Sequence, residues 1–332
     1  MDALTLGLAI ALFTVLAAEF VNGWTDAPNA IATVVSTGVM PVRLAIPMAV
    51  IMNVIGAMSG TAVAATVGKG IVDPSALTLP SITAAMLSIV AWGSIAARFG
   101  LPVSKSHALL AGLAGAGFAG GGWTALQWAG WQKVLTGMFM SIVLGSMAAL
   151  LFGLIIIKVS GRSRPARAKK SYDWLTILSA GFMAFNHGLN DGQKFMGVFT
   201  TTLLAGGAIS EFKISPWVIV LCAVTMGVGT SFGGWRIIQT VGTKMTRLQS
   251  WQGFAAQTAA SFTIFGASAY GIPLSTTHTI TSAIVGVGAS RRLSDVRWGV
   301  LKRILLAWLI TFPFCAIIAY FAALFANRFF AG

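Results

Sequence analysis

Long apolar runs fill most of the chain, separated by short polar or glycine-bearing stretches. A helix needs about 20 apolar residues to cross the hydrocarbon core of a bilayer. On that criterion the predicted embedded segments are 3–21, 28–39, 41–66, 82–99, 101–120 and 133–158, then 174–189, 195–208, 216–238, 252–269, 272–290 and 304–327. Several are too short to cross alone. Segments 82–99 and 101–120 meet at Gly100-Leu101-Pro102, and 252–269 and 272–290 at Gly271-Ile272-Pro273, so each pair predicts a re-entrant helical hairpin with its tip inside the membrane. The runs flanking Asp26, and those flanking Asp191, predict single crossings broken near their middles. Three true crossings per half remain.

Composition fixes the class. Apolar residues make up 56% of the chain and charged residues 9%, against about 25% charged in an ordinary globular protein. So few charges cannot cover a soluble surface, which excludes a water-soluble enzyme and predicts an all-α polytopic membrane protein. No basic stretch or small-residue cleavage site precedes the first apolar run, which reads as a retained helix. Cys222 and Cys315 lie in apolar runs without a metal-ligand pattern and read as buried hydrophobes.

The net charge of +14 would suggest nucleic acid in a soluble chain, but its placement points to the bilayer. Three crossings per half put Arg43, the 158–170 cluster, Arg236, Lys244, Arg247 and the 291–303 cluster on one side, fifteen cations in all. Lys69, Lys133, Lys213 and Arg328, four cations, fall on the other. Cytoplasmic loops carry the excess of Lys and Arg. Both termini are therefore expected outside, with the 158–173 stretch a basic cytoplasmic linker. The lipid bilayer is the partner implied, and no nucleic acid is called for. Trp123, Trp128 and Trp131 cluster beside a predicted interface, as belt residues do.

The two halves resemble each other. Asn22-Gly23-Trp24-Thr25-Asp26-Ala27-Pro28-Asn29 aligns with His187-Gly188-Leu189-Asn190-Asp191-Gly192-Gln193-Lys194 at an offset of 165 residues. Gly100-Leu101-Pro102-Val103-Ser104-Lys105-Ser106-His107 aligns with Gly271-Ile272-Pro273-Leu274-Ser275-Thr276-Thr277-His278 at an offset of 171, and Gly115 and Gly117 match Gly286 and Gly288. The expected units are residues 1–157 and 174–332, joined by the 158–173 linker. An odd number of crossings turns the second unit upside down. Inverted repeats with broken helices are the pattern of secondary transporters, with the site where the repeats meet.

The duplicated boxes carry two opposite chemistries. An ionised carboxylate at membrane depth costs at least ~2.5–3.5 kcal/mol, so it faces a cavity, a cation or a partner. Asp26 and Asp191, with the amides of Asn29 and Asn190, read as a site for a coupling cation, Na⁺ or H⁺; oxygen-only ligands suit Na⁺, and either carboxylate can instead hold a proton. Lys194, three residues on, is a candidate partner for Asp191. At the hairpin tips, Ser104 and Ser275 stand where N-caps stand, with Ser106 or Thr277 and free backbone N–H groups beside them. A half-helix N-terminus of this kind attracts anions. Two tips facing each other can hold one tetrahedral oxyanion. His107 and His278 fit ordinary N3 positions of the capped helices. Lys105 either adds positive charge to the site or snorkels to an interface, and Glu19 is either a second protonatable group or a partner to Lys194. Cation and anion each raise the other's affinity, which is the coupling a symporter needs. Asn53, alone in an apolar run, predicts an interhelical hydrogen bond.

Other chemistries find little support. The Ser-x-x-His spacing has no third orienting group, so no enzyme is expected, and no Walker-type motif suggests ATP-driven transport. No cofactor is called for beyond the coupling ion. A homodimer is one assembly the sequence allows.

The four boxes, in order and spanning essentially the whole chain, resemble the inorganic phosphate transporter (PiT) family. The first box is similar to the family's Gly-x-Asn-Asp-x-x-Asn-Ala signature, the second is close to the bacterial branch's form, and both Pro-x-Ser-x-Ser/Thr-His tips match. The resemblance implies transport of inorganic phosphate in the cell inner membrane, coupled to Na⁺ or H⁺. It implies ion or substrate binding at Asp26, Asn29, Asn190 and Asp191, and phosphate contact at Ser104, Ser106, Ser275, Thr276 and Thr277. Relatives on the same scaffold carry sulfate, so a sulfate symporter is the nearest alternative and an uncoupled anion channel a more distant one. Thr25 stands where the signature commonly has Asn or His, and Lys105 interrupts the first hydroxyl cluster where Thr276 continues the second.

Overall fold

The computed structural model describes residues 3–26, 28–160 and 165–330. In the first half, α1 (Ala3–Asp26) and α2 (Pro28–Ser36) together form one candidate span. Next come α3 (Val42–Met58) and α4 (Ala62–Gly70), bent by 69° at their junction. Helix α5 (Leu79–Arg98) starts on a reciprocal Thr78–Ser81 cap, α6 (Lys105–Gly121) starts on Ser104, and α7 (Trp128–Ser160) closes the half. In the second half, α8 (Pro165–His187) runs through a π-helical stretch, Gly188–Gly192, into α9 (Gln193–Ala205). It is followed by α10 (Pro216–Ser231) and α11 (Trp235–Gln239), the latter extended by a π-helical turn, Thr240–Lys244, and again bent, by 68°. Helices α12 (Ser250–Ala269), α13 (Thr276–Ala289) and α14 (Trp298–Phe330) complete the chain.

Two kinks depart from the sequence expectation, which had 41–66 and 216–238 as unbroken. Both fall at glycines: Gly60 in the first, and Gly233, in the left-handed region at φ +51°, in the second. Ser59-Gly60-Thr61 and Gly233-Gly234 fall at the two bends, but apolar residues resume at Ala62 and Trp235, so each run reads as unbroken. The 158–173 linker is helical from Pro165 onward, with Lys169 and Asp173 ion-paired at 2.8 Å; Arg162 and Arg164 lie outside the described residues.

Helices α1–α7 match α8–α14 element for element, and the packing is reciprocal. Helix α6 lies against α14 as α13 lies against α7, α1 packs on α10 as α8 packs on α3, and α4 packs on α9 as α11 packs on α2. Paired glycines allow the closest crossings: a methyl at Gly115 would run into the Ala316 carbonyl, and one at Gly286 into the Ser146 carbonyl. At one pole, the Gln127 amide just before α7 donates to Ile71 O (3.0 Å), and Thr78 donates to Asn327 (2.6 Å) near the end of α14. At the other pole, the Arg297 amide before α14 donates to Met245 O (3.0 Å).

Helices α1–α2, α5, α7 and α14 are long and apolar enough to span a bilayer, and the bent pairs α3–α4 and α10–α11 qualify when taken together. The chain is thus a multi-pass, all-helical membrane protein. Phe139, Leu151 and Ile155 on α7, and Leu309 and Phe321 on α14, point outward as a lipid-facing surface. Helix α5 is long enough to cross, yet it turns back at 99–104, where Pro102, Val103 and Ser104 are buried within the protein. Irregular backbone at membrane depth is tolerated only in such a setting.

Candidate functional site

The Asp26 and Asp191 segments and the two hairpin tips meet at one buried junction; at Asp191 the expected break is a π-helical stretch within a continuous helix. Asp26 is the last described residue of α1, next to α2, and Asp191 sits in the π-helical stretch, a helix irregularity common at functional sites. Atoms of Asp26, Asp191 and His187 lie within 4.8 Å of one another. The tips arrive through Lys105 and Ser106 at the start of α6, and through Thr276 and Thr277 at the start of α13.

Each carboxylate carries one ammonium and at least one hydroxyl. Lys105 Nζ donates to Asp26 Oδ1 at 3.1 Å, and the Thr277 hydroxyl donates to Oδ2 at 3.1 Å. Lys194 Nζ donates to Asp191 Oδ1 at 2.5 Å, and the Thr276 hydroxyl donates to Oδ2 at 2.7 Å. Ser106 Oγ stands 3.4 Å from Asp191 Oδ1, and His187 Nε2 stands 3.4 Å from Oδ2. The ammonium groups reach further oxygens: Lys194 also meets Ser106 Oγ (2.5 Å) and Leu274 O (2.7 Å), and Lys105 meets Val103 O (3.2 Å). Removing these charges from water is costly, and close pairing plus extra hydrogen bonds is what offsets it. Lys105 is 1% exposed, so it does not snorkel.

The other predicted residues divide. The Ser104 and Ser275 hydroxyl oxygens accept from the His107 and His278 amides at 3.2 and 3.1 Å, so both are the expected N-caps, with their own hydrogens free to donate. The rings of His107 and His278 meet edge to face at 4.4 Å between the tips, and His278 stacks on Trp308 at 3.6 Å. Asn29 joins the junction, its amide nitrogen donating to Thr277 at 3.0 Å. Asn190 does not: its amide nitrogen donates to Ser268 (2.8 Å) and Ile272 O (3.2 Å), tying the break to the second hairpin. Neighbouring residues of a helical stretch point in different directions, so Asp191 and Asn190 cannot both face the centre. Glu19 is fully buried and accepts from Asn22 at 3.2 Å; Lys194 pairs with Asp191 instead. Asn53 makes the expected interhelical bond, to Thr230 at 3.3 Å, and also meets His187 Nδ1 at 3.0 Å. His187 had been given no role from sequence, although its place four residues before Asp191 puts both on one helical face.

The junction is closed to solvent, with Asp26, Asp191, Lys105 and Lys194 each at most 2% exposed. Two cavities flank it, one against each hairpin tip. One, of about 650 Å³, is lined by Trp24, Arg98, Gly234 and Arg236, where the Arg236 guanidinium donates to Arg98 O. The other, of about 540 Å³, is lined by Thr66, Lys69, Lys133 and Tyr270, where the Thr66 hydroxyl donates to Gly271 O at 2.8 Å.

Comparison with known proteins gives a consistent answer. The model of the phosphate transporter family matches residues 22–319. A "probable low-affinity inorganic phosphate transporter" of Rhizobium meliloti (strain 1021) is 43% identical over 321 residues, 95% of either chain. One of Bacillus subtilis (strain 168) is 39% identical over 333 residues, 99% of this chain and 100% of that one. A solved structure described as "the sodium-dependent phosphate transporter" superposes with a TM-score of 0.87 at 23% identity, covering 97% of this chain and 99% of that one, and so shares the fold.

Proposed function

The chain belongs to the phosphate transporter family, and from that premise we propose that it imports inorganic phosphate by cation symport, alternating access around the junction of breaks and tips. The observation that carries this reading is the meeting of Asp26, Asp191, Lys105 and Lys194 with three hydroxyls at one closed point. Two ammonium groups, the hydroxyls of Ser106, Thr276 and Thr277, and the N-termini of α6 and α13 supply donors to a tetrahedral oxyanion. The carboxylates supply acceptors. Phosphate near neutral pH keeps a P–OH that benefits from an acceptor, whereas sulfate has none, which favours phosphate over sulfate.

Symport follows from charge. Lys105 and Lys194 balance the two aspartates, so an entering oxyanion brings uncompensated negative charge into a closed, poorly screened interior. An added cation, Na⁺ or H⁺, offsets it, so each ligand favours the other. The matched halves, with α7 starting and α14 ending at the same pole, support two inverted repeats, 1–157 and 174–332. In that frame the hairpin tips are the gates: one flanking cavity opens beyond each tip, and each tip is held by a hydrogen bond from the other half's kinked helix. The excess of Lys and Arg at the pole of Arg43, the 158–173 linker and Arg291 supports placing that pole in the cytoplasm and both termini outside.

Purified protein in proteoliposomes provides the test. Labelled phosphate should accumulate against its gradient when a cation gradient is imposed, and excess sulfate should compete poorly. Uptake that never exceeds equilibrium would indicate an anion channel, and equal competition by sulfate would displace phosphate as the substrate.

A further inference from the structure

The junction bears on which cation travels with the anion. A hard cation such as Na⁺ is held by several oxygens from carboxylates, hydroxyls and backbone carbonyls. An oxygen set of that kind is present, but Lys194 Nζ stands within it, bonded to the Asp191 carboxylate (2.5 Å), the Ser106 hydroxyl (2.5 Å) and the Leu274 carbonyl (2.7 Å). Lys105 Nζ likewise holds Asp26 Oδ1 (3.1 Å) and Val103 O (3.2 Å). A sodium ion brought to either carboxylate would meet an ammonium at bonding distance from the same oxygens, and like charges at that range repel strongly in a poorly screened interior. The donor set does not fit Na⁺.

The internal repeat shows how this arises. The 165-residue offset puts Asn29 opposite Lys194, and the 171-residue offset puts Thr276 opposite Lys105. The contacts are equivalent too: Asn29 reaches Thr277 as Lys194 reaches Ser106, and Thr276 reaches Asp191 as Lys105 reaches Asp26. At each equivalent place one half has a neutral donor and the other an ammonium. The sum is one fixed cation for each aspartate.

One buried carboxylate is left over among the described residues. Glu19 is fully buried, has no ion-pair partner among them, and keeps one oxygen, Oε1, without a hydrogen bond; its neighbour Asn22 Oδ1 is also unpartnered. Around it stand Cys222 on α10 and, from the second break, Asp191 and Lys194; α2 carries no titratable group, and α5 none before Arg98. Two free oxygens fall short of a sodium shell, while a single proton neutralises the group. The equivalent position in the second half is Ala184.

On the footing of phosphate symport, we propose that Lys105 and Lys194 are tethered counter-cations standing where coupling ions would bind, so that transport is independent of Na⁺, and that Glu19 carries the coupling proton. The proton joins the Glu19 carboxylate on the acidic side and leaves it on the other, with no other bond changed.

Proteoliposomes holding the full chain test this with phosphate as the probe. An inward pH gradient should drive accumulation, and replacing Na⁺ by choline should change the initial rate by less than about twofold, since fixed charges leave no differential affinity for the ion to exploit. Lys105→Thr with Lys194→Asn, which copies each residue from the other half, should make uptake rise saturably with Na⁺. Glu19→Gln should lose pH-driven accumulation while phosphate–phosphate exchange stays measurable, a split that a merely structural role would not produce. Accumulation by the unaltered protein that requires Na⁺ overturns the proposal, as does full pH-driven accumulation by Glu19→Gln. Accumulation under neither gradient would instead remove the symport reading on which the proposal stands, so the two failures are distinguishable.

Discussion

The two aspartate-bearing helical segments perform one task with different parts. In the first half, Asp26 receives its ammonium from the hairpin tip, through Lys105. In the second, the helix passes through a π-helical stretch, and Asp191 receives its ammonium from its own helix, through Lys194. The carboxylates obey the internal symmetry and the cations do not. The sequence repeat fixes where the acids fall, while the neutralising charge can come from any side chain that reaches. The first-half lysine rides on the hairpin, so motion of that tip relative to α1 separates a charge pair. The second-half lysine moves with its aspartate.

This difference predicts unequal damage from equivalent substitutions. Asp191→Asn should have the largest effect. Asp191 accepts from Lys194 and Thr276, and losing its charge strands an ammonium that is fully buried. Removing one partner of a buried pair costs about 3–5 kcal/mol, so both uptake and thermal stability in detergent should fall sharply. Asp26→Asn should also abolish accumulation but cost less stability, because Lys105 lies in a looser shell, 3.1 Å from its carboxylate against 2.5 Å. Equal thermal shifts in the two variants would break the contrast between a pair within one segment and a pair across two.

The scaffold, in contrast, should respond symmetrically. Gly115→Ala and Gly286→Ala each drive a methyl into a backbone carbonyl of the opposing long helix. Overpacking of this kind costs typically about 1–3 kcal/mol. The two losses of thermal stability should agree closely. A marked difference would show that the crossings α6–α14 and α13–α7 are not equivalent.

The architecture was legible in the sequence wherever polar residues punctuate apolar runs. Asp191 and the two Gly-x-Pro tips mark the π-helical stretch and the turns, and the spacing of the boxes gives the sequence repeat before any packing is known. The kinks after Met58 and Ser231 coincide only with short stretches, Ser59-Gly60-Thr61 and Gly233-Gly234, of a kind common throughout the chain, with apolar sequence on both sides. At the site, the residue types were legible and their pairing was not. Lys105 and Asp26 are 79 positions apart, and only the folded hairpin shows that they touch. Asn190 looked equivalent to its neighbour Asp191, but which of two adjacent helical residues faces a centre depends on the local phase of the π-helical stretch. The closure of the junction is a property of packing, on which sequence spacing is silent.

Loss of either hairpin cap should have a smaller effect. Ser104→Ala and Ser275→Ala each remove an acceptor for the N3 amide, worth typically about 1 kcal/mol. The Ser275 amide donates to Ser141 at 3.2 Å on α7, so the second tip keeps an anchor after the change. In Ser275→Ala the loss should therefore appear more in the Michaelis constant for phosphate, raised several-fold, than in stability. An unchanged Michaelis constant would remove that hydroxyl from the anion site.

The smallest effect concerns a contact that one half has and the other lacks. Asp173, near the start of α8, accepts from Lys169 at 2.8 Å and from the Ser250 hydroxyl at 2.5 Å, tying α8 to α12. The residue at the equivalent place in the first half is Leu8. The hydrogen bond from Lys169, then that from Ser250, holds the Asp173 carboxyl below the usual carboxylate range. A depressed folded-state value means the stabilisation is complete above the unfolded value of about 3.9 and is lost as pH falls through the lower folded value. Because the group is partly exposed and screened, the gain is a fraction of a kcal/mol, on the order of 0.2–1. Asp173→Asn should therefore unfold slightly earlier than the unaltered protein at neutral pH, and the gap should close in acid below the usual carboxylate range. A gap of constant size down to that acid limit would mean that Asp173 holds the two helices together by shape rather than by charge.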